Sequence, residues 1–180
     1  MYGEHWINID GLNEWDVSIE KVVGGLIWLG FSRDNPERML CISSDKATIF
    51  DCQKGTITTV ECDYDEGELI AIVNGLNEEI SIAGQYGGSL PSESGYGEKV
   101  TSVTKDVFEY GMNLVRESVS FWTNKGTEQL IYDGYKPYIY GFSYDGNYFV
   151  YLAMKSIYMS CFILLRTKSL HSISQKRFQC

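Results

Sequence analysis

Histidine is nearly missing from this chain: His5 and His171 are the only two among 180 residues, one near each end. That scarcity thins the stock of acid–base and metal-ligating side chains before any motif is sought. The five cysteines, Cys41, Cys52, Cys62, Cys161 and Cys180, are odd in number and never spaced C-x-x-C. This spacing argues against a zinc knuckle and a disulfide framework, and favours reduced thiols. No Asn-x-Ser/Thr sequon occurs, and the first residues carry neither a basic region nor an apolar run of signal-peptide type. The expected location is cytoplasmic. The longest greasy stretch, 148–165, is broken by Lys155-Ser156 into halves of strand length, so it reads as a hairpin and not a membrane span.

Catalytic signatures are missing too. There is no G-x-S-x-G elbow, no H-E-x-x-H and no Walker sequence. Gly95-Tyr96-Gly97 starts like a phosphate loop, but Val100 stands where the third glycine belongs; residues 87–97 read as a flexible Gly/Ser loop. Asp63-Tyr64-Asp65-Glu66-Gly67-Glu68 offers alternating oxygens but lacks the remaining ligands of a calcium loop. Glu78-Glu79 cannot flank one glycosidic bond from a strand, where neighbours point to opposite faces. The chain reads as a non-enzyme without a cofactor or metal.

What the chain does have is strand signal. At 44% hydrophobic and 22% charged residues it can bury a core, which excludes wholesale disorder. Runs rich in Val, Ile, Tyr, Phe and Thr cover 26–31, 39–42, 47–50, 56–62, 68–73, 79–83, 118–122, 129–132, 138–142, 148–154 and 157–165. Lys54-Gly55, Asn74-Gly75, Lys125-Gly126 and Asp145-Gly146 supply turns between them. One helix is expected over 104–116, where Val107, Phe108, Met112 and Val115 make a partial apolar face. The tail after Lys168 is polar and expected to fray. The fold class is therefore all-β, antiparallel meander sheets with little helix, in one domain over 1–180.

The chain also repeats itself. Gly30-Phe31-Ser32-Arg33-Asp34 is echoed by Gly141-Phe142-Ser143-Tyr144-Asp145, and a hydrophobic strand follows each. Residues 46–52 then match residues 155–161, with two extra residues in the first copy, expected around Asn35-Pro36. These copies, near 26–62 and 137–166, resemble blades of WD-type propellers, where a strand ends in an F-S-x-D-G turn. The resemblance implies a propeller-like or incomplete propeller architecture, since 180 residues hold at most about four blades of ~40–45 residues.

Charge is unevenly placed. The net charge is −9, which disfavours nucleic acid as a partner. Residues 55–98 hold nine acids and no lysine or arginine, whereas residues 146–180 hold five bases and no acid. The base-free window reads either as a solvated acidic edge or as a face for a basic partner. Eight tyrosines, Tyr132, Tyr135, Tyr138, Tyr140, Tyr144, Tyr148, Tyr151 and Tyr158, crowd one stretch, either as cross-strand packing or as a contact surface.

In size, acidity, β-rich make-up and want of catalytic residues, the chain resembles the bacterial immunity proteins that neutralise polymorphic or contact-dependent growth inhibition toxins. The resemblance implies a cognate toxin as partner, a basic nuclease domain whose active site is occluded. The partner-binding residues are then Glu61, Asp63, Asp65, Glu66, Glu68, Glu78, Glu79 and Tyr64, with neither nucleic acid nor membrane involved. The rivals are a small enzyme or ligand-binding barrel with carboxylates lining a pocket, and a propeller-like adaptor.

Overall fold

The computed structural model describes residues 15–84, 86–92, 94–95, 98–122, 125–135, 139–156 and 159–167. Sixteen strands and no helix occupy them, in four antiparallel sheets. Sheet I joins β2 (Leu26–Phe31), β3 (Arg38–Ser43), β4 (Ala47–Asp51) and β5 (Thr56–Val60) in a meander, with β9 (Ala83–Gly84) added beside β2. Sheet II is the small meander β6 (Cys62–Asp65), β7 (Ile70–Val73) and β8 (Glu79–Ser81). Sheet III runs β10 (Ser94–Gly95), β11 (Glu98–Glu109), β12 (Met112–Trp122) and β13 (Glu128–Tyr135). Sheet IV takes β14 (Ile139–Phe142), β15 (Tyr148–Ser156) and β16 (Met159–Thr167) from the C-terminal part and β1 (Trp15–Gly24) from the N-terminal part. β15 and β16 pair antiparallel, so the greasy stretch is a hairpin. Among the described residues, no helix is long and apolar enough to cross a membrane.

The helix expected over 104–116 is instead the distal part of the β11–β12 hairpin. Its β-branched residues, Thr104, Val107 and Val115, lose side-chain freedom in a helix and suit a pleated strand. Tyr110 and Gly111 both take positive φ, 54° and 77°, while Glu109 pairs with Met112. Such a two-residue turn carries the twist that closes a hairpin. Val107 and Phe108, neighbours on the supposed helical face, point to opposite sides of the strand.

Three apolar clusters bind the sheets in the series II–I–IV–III. Trp28, Leu40 and Ile42 of sheet I meet Ala71, Val73 and Ile80 of sheet II. Leu29, Phe31, Met39, Cys41 and Phe50 on the other face of sheet I meet Ile139, Tyr148, Val150 and Leu152 of sheet IV. Phe142, Phe149 and Tyr151 on the far face of sheet IV meet Val100, Val119, Phe121, Ile131 and Tyr132 of sheet III. There the Phe121 ring lies 4.9 Å from Phe149 and 5.7 Å from Phe142, both edge-on. Among the described residues, no cluster joins sheet III back to sheet II.

The echoed segments occupy matching places at the ends of β2 and β14. Ser32 N donates to Arg38 O at 3.0 Å, and Ser143 N donates to Tyr148 O at 2.9 Å. Both serines are fully buried, and each hydroxyl accepts a backbone N–H, from Asn35 or Tyr148. The Arg33 guanidinium sits 5.2 Å from the centre of the Tyr144 ring, so the two copies touch at equivalent positions. Arg38 thus corresponds to Tyr148, which makes the first loop longer by one residue, not two. The likeness of 46–52 to 155–161 is not structural: Lys46 lies in a turn ahead of β4, whereas Lys155 lies within β15.

Residues 87–97, expected to be a flexible loop, are stitched down where described. Gly87 pairs with Gly84, and Ser92 pairs with Phe142 and accepts its N–H at 2.9 Å. A Cβ at Gly95 would lie 2.4 Å from Gly146 O. That glycine is required by packing, which is why it does not need a phosphate to explain it.

Two measurements check this packing. A Cβ on Gly30 would lie 2.5 Å from Ser81 O and 2.8 Å from Ile80 Cγ2, so sheet II could not approach sheet I as closely. Gly30→Ala should cost about 1–3 kcal/mol in urea unfolding; an unchanged midpoint contradicts the close approach. Burial raises the pKa of Cys41, helped by Cys52, and that of Cys52, helped by Asp51, Glu37 and Asp145. Thiolate is the nucleophile, so at pH 8 both should resist iodoacetamide until the protein is unfolded. Half-buried Cys62, whose pKa burial and Asp63 raise, should label slowly in the native state. Peptide mass mapping reads all three sites.

Candidate partner-binding face

Sheet II begins just after Glu61, which follows β5. Glu61 O accepts the Asn74 N–H at 2.9 Å, and Glu61 Oε2 accepts Asn74 Nδ2–H at 3.1 Å. This pair fixes the register of β6 against β7. Ala71, Val73 and Ile80 point inward to Trp28, so their neighbours in sequence must point outward. Across the outward face the pairing runs Asp63, Ile72, Glu79 in one row and Asp65, Ile70, Ser81 in the next. Strands lie about 4.8 Å apart, so Asp63 and Glu79 flank Ile72 on both sides. Ile72 is 47% exposed, and both acids beside it are exposed.

The β6–β7 turn extends this face. Asp65 Oδ1 accepts the N–H groups of Gly67 at 2.7 Å and Glu68 at 3.0 Å. With its backbone donors satisfied, the turn holds the exposed Glu66 and Glu68 out in solvent. Among the described residues the ion pairs are Lys54–Asp51, Arg116–Glu109 and Arg116–Asp133, and none involves an acid of sheet II. No base lies within 55–98, so nothing in that stretch neutralises the charge of this face.

The eight residues singled out from sequence therefore separate. Asp63, Asp65 and Glu79 share the outward face, Glu66 and Glu68 continue it, and Glu61 marks its corner. Tyr64 pairs with Ala71 and so shares the opposite side of the sheet, at 42% exposure. Glu78 turns to sheet I, where Oε2 accepts Asp34 N–H at 3.0 Å and Oε1 is buried without a partner. It ties the β2–β3 loop to sheet II.

The described tyrosines of the crowded stretch are packing residues. Tyr148 and Tyr151 are buried, and the Tyr132 and Tyr151 rings lie 5.1 Å apart. Burial pushes the Tyr151 phenol far above its ordinary pKa, with Tyr132 adding to the effect. Tyr140 OH donates to Glu117 Oε1 at 3.0 Å. The side chains of Tyr135, Tyr138 and Tyr158 lie outside the described residues, as do His5, His171 and the tail.

Two features had no sequence signal. Glu117 is buried between sheets III and IV with one oxygen unpartnered. A shallow groove of about 360 Å³ crosses the outward face of sheet III, lined by Thr101, Val103, Ser118, Ser120, Glu128 and Leu130. Both need the register of β11 against β12 and β13, which the helical reading of 104–116 hid. Among the described residues, no three His, Cys, Asp or Glu side chains gather as a metal site. No protein-family model, curated protein or solved structure matches this chain.

The acids that serve the fold separate from those that are free by stability. Asp65→Ala removes two turn hydrogen bonds and should cost about 1 kcal/mol in chemical denaturation. Asp63→Lys and Glu79→Lys should stay within about 0.5 kcal/mol of the parent protein. Equal losses at all three positions contradict this division.

Proposed function

We propose that this protein is a toxin-neutralising immunity protein that binds a basic nuclease domain through the outward face of sheet II. The observation that carries the reading is the row Asp63–Ile72–Glu79, two exposed acids on either side of an exposed isoleucine, in a stretch without a base. A nuclease presents lysine and arginine where it holds phosphate. Carboxylates on a rigid strand meet those groups at a spacing set by the sheet, and Ile72 is the apolar contact between them.

The work divides between charge and burial. Glu61, Asp65, Glu66 and Glu68 at the corner and turn act as rim charges, steering a cationic surface and raising the association rate. Ile72 is desolvated in the complex, and such central apolar anchors hold most of the affinity. Tyr64 and Glu78 take lesser parts, Tyr64 at the edge of the sheet and Glu78 by holding the loop beneath it. The nuclease is silenced because its phosphate-binding surface is covered, with no bond made or broken. The carboxylates fan outward from a sheet face and its turn, which favours a macromolecular partner over a small ligand in a pocket.

The test is binding to the toxin domain encoded beside the gene, with nuclease activity as a second readout. Asp63→Lys with Glu79→Lys should slow association about tenfold or more at low salt, with a smaller loss at high salt. Ile72→Ala should mainly speed dissociation. Affinity indifferent to all three changes, or a neighbouring gene without a toxin domain, overturns the reading.

A further inference from the structure

Among the described residues, sheet III ends the series of sheets and has one covered face. Val100, Val119, Phe121 and Tyr132 turn inward to sheet IV. The pairing then puts Lys99, Trp122 and Glu128 in one outward row, Thr101, Ser120 and Leu130 in the next, Val103, Ser118 and Asp133 in a third, and Lys105 beside Arg116 in a fourth. Val103 is 70% exposed, Leu130 49% and Trp122 42%. Val103 and Leu130 line the groove together with Thr101, Ser118 and Ser120. Trp122 Nε1–H donates to Thr101 Oγ1 at 3.1 Å, which ties the indole to the neighbouring strand.

Around the groove the charges of this face are ordered laterally, with Glu109 of β11 beyond it at the hairpin end. Lys99 and Lys105 lie on β11 and Glu128 and Asp133 on β13, two strands away, about 10 Å apart. Arg116 on β12 bridges Glu109 and Asp133 at 3.9 and 3.7 Å. Three bases thus meet three acids on a chain whose net charge is −9. On sheet II, by contrast, every charge on the outward face is negative, so two copies repel there.

We infer that the outward face of sheet III binds the same face of a second copy in a two-fold dimer. A two-fold axis lying between the faces and running along the strands carries β11 of one copy over β13 of the other. Lys99 of each copy then faces Glu128 of the other, and Lys105 faces the Asp133 side. The Lys99–Glu128 match is made twice by one operation, the signature of an isologous interface. Arg116, which meets its own copy near the axis, is neutralised within its chain by Glu109 and Asp133. Val103 of one copy then lies over β13 of the other and Leu130 over Thr101 on β11, flanking the groove at the spacing of packed sheets.

Light scattering over a concentration series reads the result. The mass should rise toward about twice the 20.4 kDa of the chain and fall on dilution. Lys99→Glu or Glu128→Lys alone should move the midpoint to about tenfold higher concentration, because like charges then meet at two places. Lys99→Glu combined with Glu128→Lys should restore it. Val103→Asp should give a monomer with unchanged circular dichroism, and Ile72→Lys on sheet II should leave the dimer intact. A wild-type chain that stays monomeric throughout overturns the proposal. So does a dimer that ignores the charge swap or is lost with Ile72→Lys.

Discussion

Sheets I and IV each carry another sheet on both faces, and the remaining structure depends on that double burial. Strands covered on both faces have no side left for water, so β2 reads Leu-Ile-Trp-Leu-Gly-Phe without a charged residue, and β14 and β15 are nearly as apolar. Trp28 and Leu29, adjacent in sequence, face different neighbouring sheets and are both fully buried. Each large side chain buried in this way contributes about 1.5–3 kcal/mol. Ser32 and Ser143, buried at the ends of β2 and β14, are satisfied locally by backbone N–H groups.

Glycine sets how closely the layers approach. A Cβ at Gly30 would meet the backbone of β8, and one at Gly141 would lie 2.6 Å from Leu90 Cβ. The echoed glycine therefore does one job twice, admitting a neighbour against the strand that precedes each buried serine. Beyond the first strand and turn the two copies diverge, because β16 pairs with β1 from the other end of the chain while β4 pairs with β5.

The outer sheets show the same geometry with one face released. Alternation returns at once: in β7, Ala71 and Val73 are buried and Ile72 between them is exposed. The two released faces differ in chemistry. Sheet II surrounds Ile72 with carboxylates, which suits a cationic partner, whereas sheet III balances acids against bases around Val103, Trp122 and Leu130. A chain of net charge −9 can meet its own copy on the second face far more readily than on the first.

Much of this was legible along the chain. β-branched and aromatic runs with Gly turns locate most strands, because local steric preference and turn chemistry act over a few residues. The acidity of 55–98 is equally a property of composition. The 104–116 hairpin was not legible: its apolar spacing fits a helix, and only the pairing of β11 with β12 and the positive φ of Tyr110 reveal the ribbon. Nor could composition tell Glu79, free on the outward face, from Glu78, bound to Asp34. Sequence alone determined that the chain is all-β and carries a base-free acidic segment, since both follow from short-range chemistry. Tertiary structure decided which acids share a face, which tyrosines are core and which sheets keep a face open, because a one-residue change of register turns every side chain over.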